Sequence, residues 1–377
     1  MKKNVNEDVK PLLGLTCTHI DKSENKKRIV NYDIARAIAI SCVVLCHSVE
    51  TAYINMDTML LSNISQIFRI MIFTIGRLGV PIFLFLTGAL ILKKEIESDY
   101  DVLKFYKSNL IPLLITVEIW NILYNIFLGI LYKNLNLKIV IYNILFFTQA
   151  NVQNMWYMPM ILGMYLALPF LAKMIKIFTI KTIKIPMLVV LTVTMLVPSF
   201  NVILNIFQLK NYSVILDISY LGGTYGLYII LGYYLTNNKL LKNIKSLWIC
   251  VSIVIAFILT FLVQYISYKN NIYYDVWYNF ITVLICGVCL FETITRIKLN
   301  EENIFIKITR YISKISLGIF FMHEIFLKIF EKHIGILKVS NPIKTVIVFF
   351  ISIFASIGSI YLFSKIKFIK EKVFLIK

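Results

Sequence analysis

The stretch "NYDIARAIAISCVVLCHSVE", residues 31–50, sets Arg36 and His47 eleven positions apart inside an apolar run. Eleven positions is close to three turns of α-helix, so both side chains leave the same face, about 16 Å apart along the axis. An imidazole titrates near neutral pH and suits general acid–base work. A guanidinium suits a carboxylate, a phosphate or a developing oxyanion. Asp33 lies one turn before Arg36 and is its nearest pairing partner.

Other apolar runs carry polar groups of the same kind. "FRIMIFTIGRLGVPIFLFLTGALILKK" holds Arg69 near its outer end, read as an interfacial anchor, and Arg77 deeper, at about the height of His47. Pro81 frees a carbonyl and bends this helix, and Gly76, Gly79 and Gly88 allow close approach of a neighbour. "PLLITVEIWNILYN" places Glu118 mid-run with Asn121 and Asn125 on neighbouring turns. "ISKISLGIFFMHEIF" places His323 and Glu324 about 100° apart around a helix. "NVQNMWYMPMILGMYLALPF" opens with Trp156 and Tyr157, residue types that also serve as ordinary interface anchors. Glu292, near a run's end, reads as structural. Ionisable groups in hydrocarbon cost less when they face one another around a hydrated cavity. The expected interior set is therefore His47, Arg77, Glu118 and His323, with Arg36 below it. No HExxH, no Ser-His-Asp order and no thiolate cluster occurs, so no metal is expected. Cys286 and Cys289 have a metal-like spacing, but their run lacks partner ligands; with Cys42, Cys46 and Cys250 they read as small hydrophobes, and nothing suggests a disulfide framework.

These groups need helices long enough to hold them in a bilayer. Hydrophobic residues make up 59% of the 377, charged residues only 16%, and the mean hydropathy is +0.77, which is the composition of a polytopic membrane protein. Ten runs approach the roughly 20 residues a span requires. They lie at about 30–54, 66–92, 108–132, 155–172, 185–206, 215–236, 246–267, 276–295, 311–331 and 342–364. Residues 137–147 are apolar but too short to span. Alternate connections and tails, with Lys314 at the edge of its run counted among them, carry 28 Lys and Arg on one side against 6 on the other, which puts both termini in the cytoplasm. The net charge of +19 follows this topology; no basic face with stacking aromatics appears, so nucleic acid is not an expected partner. The expected architecture is all-α. It comprises a cytoplasmic tail (1–29), one transmembrane helix bundle (30–366) and a short cytoplasmic tail (367–377), multi-pass in the cell membrane.

Four blocks, in order, then give a resemblance. "RAIAISCVVLCH" resembles the Arg-x10-His motif of the first helix in the acyltransferase-3 family of integral-membrane acyltransferases. "GRLGVPIFLFLTGALIL" is similar to that family's second-helix block, with Thr87 where Ser is usual. "MWYMPMILGMYLALP" is similar to its Trp-Tyr/Phe-Leu block, and "ISLGIFFMHEIF" resembles its late His segment, with Phe320 where Tyr is common. The resemblance implies transfer of an acyl group, commonly acetyl, from cytoplasmic acyl-CoA to a hydroxyl of an extracytoplasmic envelope polysaccharide or lipid-linked sugar. Acetyl-CoA would be the co-substrate. His47 would be catalytic, as base or transient acyl acceptor, and Arg36 would help bind the donor. Arg77, Glu118 and His323 would line the cavity, and Trp156 and Tyr157 the acceptor opening. The rival expectation uses the same His, Arg and Glu groups as a relay in a transporter or exporter of a small amino acid or polysaccharide. Neither reading specifies an oligomeric state.

Overall fold

The computed structural model describes residues 28–54, 56–57, 60–219, 222–298 and 303–376. Most of the expected N-terminal tail, and Cys17, lie outside them. The described residues form helices and no strand. In chain order these are α1 (Val30–Ala52), α2 (Asn63–Gly76), α3 (Gly79–Ile91), α4 (Asp99–Phe105), α5 (Ile111–Tyr132), α6 (Leu137–Ile144) and α7 (Tyr157–Ile177). There follow α8 (Ile180–Leu191), α9 (Val197–Ile206), α10 (Gly223–Thr236), α11 (Ser246–Lys269), α12 (Ile281–Arg296), α13 (Ile304–His333) and α14 (Asn341–Phe363). Single π turns join α4 to α5 and α8 to α9.

Among the described residues, seven stretches are long and apolar enough to cross a membrane: Val30–Ala52, Asn63–Ile91, Asp99–Tyr132, Tyr157–Ile177, Ile180–Ile206, Ser246–Lys269 and Asn341–Phe363. Three expected spans fall short for identifiable reasons. The 14 residues of α10 and the 16 of α12 rise about 21 and 24 Å, less than the ~30 Å hydrocarbon core. The 30 residues of α13 are long enough, but Lys307, Arg310, Lys314, Glu324, Lys328, Glu331 and Lys332 interrupt its apolar face. Residues 137–147 yield only the eight-residue α6.

α1 is the central helix. It packs against α2, α3, α12, α13 and α14, and Ala35, Ala39 and Val44 are wholly buried. A helix apolar on nearly every side can be satisfied only inside a bundle. The outer helices do the reverse: α11 and α14 turn Trp248, Ile255, Phe350 and Phe354 outward, more than 40% exposed. Such a surface suits hydrocarbon rather than water.

Glycines set two of the close crossings. A Cβ on Gly232 would overlap the Phe85 backbone, and one on Gly88 would overlap the Ile229 carbonyl, so α3 and α10 touch backbone to backbone. We expect Gly232→Ala to destabilise the bundle by about 1–3 kcal/mol, the usual cost of overpacking. An unchanged melting temperature in detergent would show that this contact is looser than described.

The C-terminal residues are not a free extension. Val373, Phe374 and Ile376 are buried, the Trp120 indole N–H donates to the Val373 carbonyl at 2.9 Å, and the Thr116 hydroxyl donates to the Lys372 carbonyl at 2.6 Å.

Candidate active site

The site begins where the second apolar run breaks. Pro81 has no N–H to give the Arg77 carbonyl four residues back, and α2 and α3 part at Arg77 and Leu78. α1 presses into this break. A Cβ on Gly76 would stand 2.7 Å from the Cys46 Cβ, and one on Gly79 2.6 Å from the Ala39 carbonyl oxygen. That contact sets Arg77 beside the last two turns of α1, which carry His47 and Glu50.

His47 Nδ1 lies 2.7 Å from Glu50 Oε2, and Arg77 Nη2 donates to Glu50 Oε1 at 3.4 Å. Arg77 Nη1 also donates to the Tyr278 hydroxyl at 3.2 Å. The guanidinium carbon is 4.3 Å from the Phe73 ring centre and 4.5 Å from that of Trp277. Arg77 is thus held in an aromatic box with its charge aimed at Glu50. A carboxylate fixed by a cation is an acceptor, so His47 Nδ1 carries the proton of their shared bond, and in the neutral ring Nε2 is the nitrogen with the free lone pair.

α13 supplies the facing wall. The rings of His47 and His323 stack with centroids 5.7 Å apart and planes 27° from parallel. His323 and Glu324 are wholly buried. This part of α13 is pinned from outside: Tyr124 donates its hydroxyl to the Phe321 carbonyl at 2.7 Å, and Asn154 donates to the Phe320 carbonyl at 2.6 Å. Donor atoms of His47, His323 and Glu324 all lie within 4.8 Å of one another, a group whose residue types are also those of metal ligands.

At the other end of α1, Arg36 Nη1 donates to the Ser313 hydroxyl at 3.0 Å and stands 3.7 Å from Asp33. Asp33 accepts from Ser313 at 2.6 Å and from Arg28 at 2.6 and 2.8 Å. This network edges a cavity of about 1550 Å³. Arg28, Arg36, Lys93, Lys94 and Lys104, with Asp33, Glu95 and Asp101, line it, and Tyr157 and Phe320 are also in its wall. The Phe320 ring sits 5.8 Å from Tyr157 and 6.2 Å from His323, so this ring joins the cavity wall to the histidine pair.

At the His47 end an aromatic cluster covers Arg77. Trp156 packs on Trp277, Tyr278 and Tyr225 at 5.3, 5.4 and 5.9 Å. Asp275 beside it is doubly bonded by Arg69, at 2.5 and 2.9 Å, and takes the Tyr268 hydroxyl at 2.6 Å. Burial alone would raise the Asp275 carboxyl, but the Arg69 guanidinium outweighs it and holds the group below its ordinary range. Arg69 is therefore buried and paired in the bundle, not an anchor at its surface.

Of the residues singled out from the sequence, His47, Arg77 and His323 come together. Arg36 stands at the far end of the same helix, and Trp156 and Tyr157, though consecutive, lie in the aromatic cluster and in the cavity wall respectively. Glu118 faces a different network, accepting from Asn121 at 3.3 Å in a layer where Asn125 donates to Asn143 at 2.8 Å. Glu50, Trp277 and Tyr278 were not among the expected residues. Glu50 carried a readable signal, three positions after His47 and so on its face. Trp277 and Tyr278 lie in the connection between α11 and α12, whose path no periodicity predicts.

The chain matches the family described as an acyltransferase domain over residues 29–365. No curated protein and no solved structure gives a significant match. With the match covering nearly the whole chain, the protein belongs to the acyltransferase-3 family and is a membrane acyltransferase.

Proposed function

We propose that the protein moves an acetyl group from cytoplasmic acetyl-CoA to a hydroxyl of an extracytoplasmic envelope polysaccharide or lipid-linked sugar, with His47 as the base. The observation that carries this reading is the alignment along α1: a basic-edged cavity beside Arg36, then the histidine pair, then the aromatic cluster over Arg77. The lysine asymmetry of the loops supports a cytoplasmic position for the Arg36 end, within the cell membrane. Five basic against three acidic side chains along the cavity suit the phosphates of a CoA donor. The roughly 16 Å between Arg36 and His47 is a distance for an extended donor arm to span.

In this mechanism the thioester passes Tyr157 and Phe320 and meets an acceptor hydroxyl entering past Trp156 and Trp277. His47 Nε2 takes the hydroxyl proton as the oxygen attacks the thioester carbonyl. The C–S bond then breaks, and the proton passes from His47 to the departing thiolate, leaving ester and free CoA. Glu50 stabilises the transient imidazolium, and Arg77 keeps Glu50 ionised and in place.

The donor half is tested with Arg36→Ala. The lost charge contact raises the KM for acetyl-CoA about tenfold, equivalent to about 1.4 kcal/mol, with kcat within about twofold. Inverted membrane vesicles accept added acetyl-CoA and right-side-out vesicles do not. Equal use from both faces, or an unchanged KM, contradicts this assignment of the cavity.

A further inference from the structure

The residues that follow α14 return to the large cavity. A single π turn, Ile369–Val373, leads into Leu375, whose φ of 49° folds the chain back until the Ile376 N–H meets the Lys370 carbonyl at 2.9 Å. Helix α5 fastens this hook. Besides the Thr116 and Trp120 bonds to the Lys372 and Val373 carbonyls, the Trp120 ring lies 6.3 Å from that of Phe374 and stacks on Phe321 of α13 at 5.0 Å. Phe374 and Ile376 are buried. Leu375, between them, is only partly covered and belongs to the wall of the cavity.

Its level along the cavity follows from α13. A Cβ on Gly318 would stand 3.3 Å from Phe374 Cδ1. Gly318 comes five residues after Ser313, which holds Arg36, and five before His323, so the hook meets α13 midway, about 7.5 Å along the axis from either level. Ser316, Leu317 and Phe320, from the same stretch of α13, are in the cavity wall too. A donor with its phosphates near Arg36 and its thioester near His47 leaves this level to the uncharged pantetheine arm between them. A left-handed φ suits glycine better than a branched residue. What leucine adds here is apolar side-chain surface, the kind that packs against an uncharged arm.

We propose that Leu375 contacts the pantetheine arm of the donor and sets how tightly that arm is held. This inference rests on the reading of the cavity as the acetyl-CoA site. It makes the segment after α14 part of the donor site.

The test uses the purified full chain in detergent, acetyl-CoA labelled in the acetyl group, and envelope glycan from cells lacking the protein. Pantetheine and adenosine bisphosphate, the two halves of the donor, serve as competing inhibitors. Leu375→Gly removes the side chain at a φ that glycine adopts without strain. It raises the KM for acetyl-CoA and the inhibition constant of pantetheine about five- to tenfold, as loss of one apolar contact should. The inhibition constant of adenosine bisphosphate and the KM for the glycan stay unchanged. Leu375→Met, which keeps an apolar side chain, recovers most of the loss. Arg36→Ala does the reverse, weakening adenosine bisphosphate and not pantetheine. If glycine lowers the melting temperature, Leu375→Asn, which also tolerates this φ, replaces it with the same expected result. An unchanged pantetheine constant, or equal weakening of both halves of the donor, overturns the contact and leaves acyl transfer standing. No transfer from acetyl-CoA by the wild type overturns the acyl-CoA reading and the inference with it.

Discussion

His47→Ala lowers acyl transfer by about 10²–10⁴-fold, the range contributed by a positioned general base, and leaves the protein folded. The expectation follows from how this imidazole is held. Its Nδ1 is tied to Glu50 at 2.7 Å, Glu50 is tied to Arg77, and the ring lies against His323 in the bundle interior. No other group in the cluster has the same combination: His323 Nδ1 is oriented by the neutral Ile319 carbonyl, and Glu324 stands at 3.6 Å on its Nε2 side, where a substrate proton would have to enter. Alanine removes the ring and leaves a small cavity, so the melting temperature falls modestly while donor affinity, set at the Arg36 end, stays. Activity within tenfold of wild type would place the base elsewhere.

Glu50→Gln is the second large effect, again about 10²–10⁴-fold on kcat. The substitution keeps the shape but changes which way the hydrogen bond runs. A glutamine amide turned toward His47 can donate to Nδ1, which moves the ring proton to Nε2 and removes the lone pair that accepts from substrate. It also takes away the charge that stabilises the imidazolium and leaves Arg77, only 5% exposed, facing a neutral partner. Glu50→Asp preserves charge and recovers part of the rate. Equal rates for the Gln and Asp variants would reduce Glu50 to a spacer.

Both predictions turn on residues whose legibility in the sequence differed. His47, Arg77 and His323 were readable because a charge in an apolar run is expensive and must face something. Arg36 was readable from its phase with His47. Glu50 shares that phase, but it sits at the end of the run, where an acid looks like ordinary interface. Trp277 and Tyr278 reach Arg77 from a connection, where side-chain direction follows no period. Glu118 shows the converse: depth in a run gives height in the membrane but not direction, and α5 turns this carboxylate toward Asn121 instead of His47. Arg69 differs for a related reason, since its partner Asp275 lies 206 positions away, invisible to any local pattern. Among the helices, hydropathy located every apolar run, but inner helices such as α10 and α12 trade length for packing on α3 and α11, and their short cores look like full spans when only composition is counted.

The measurement closest to the central claim compares membranes containing wild-type protein or His47→Ala, matched for expression and supplied with acetyl-CoA labelled in the acetyl group. Label in the envelope glycan and release of CoA are followed together. The account predicts stoichiometric label transfer and CoA release with the wild type and neither with the variant. Glycan labelling that is equal in both, or absent from the wild type with acceptor present, would contradict it.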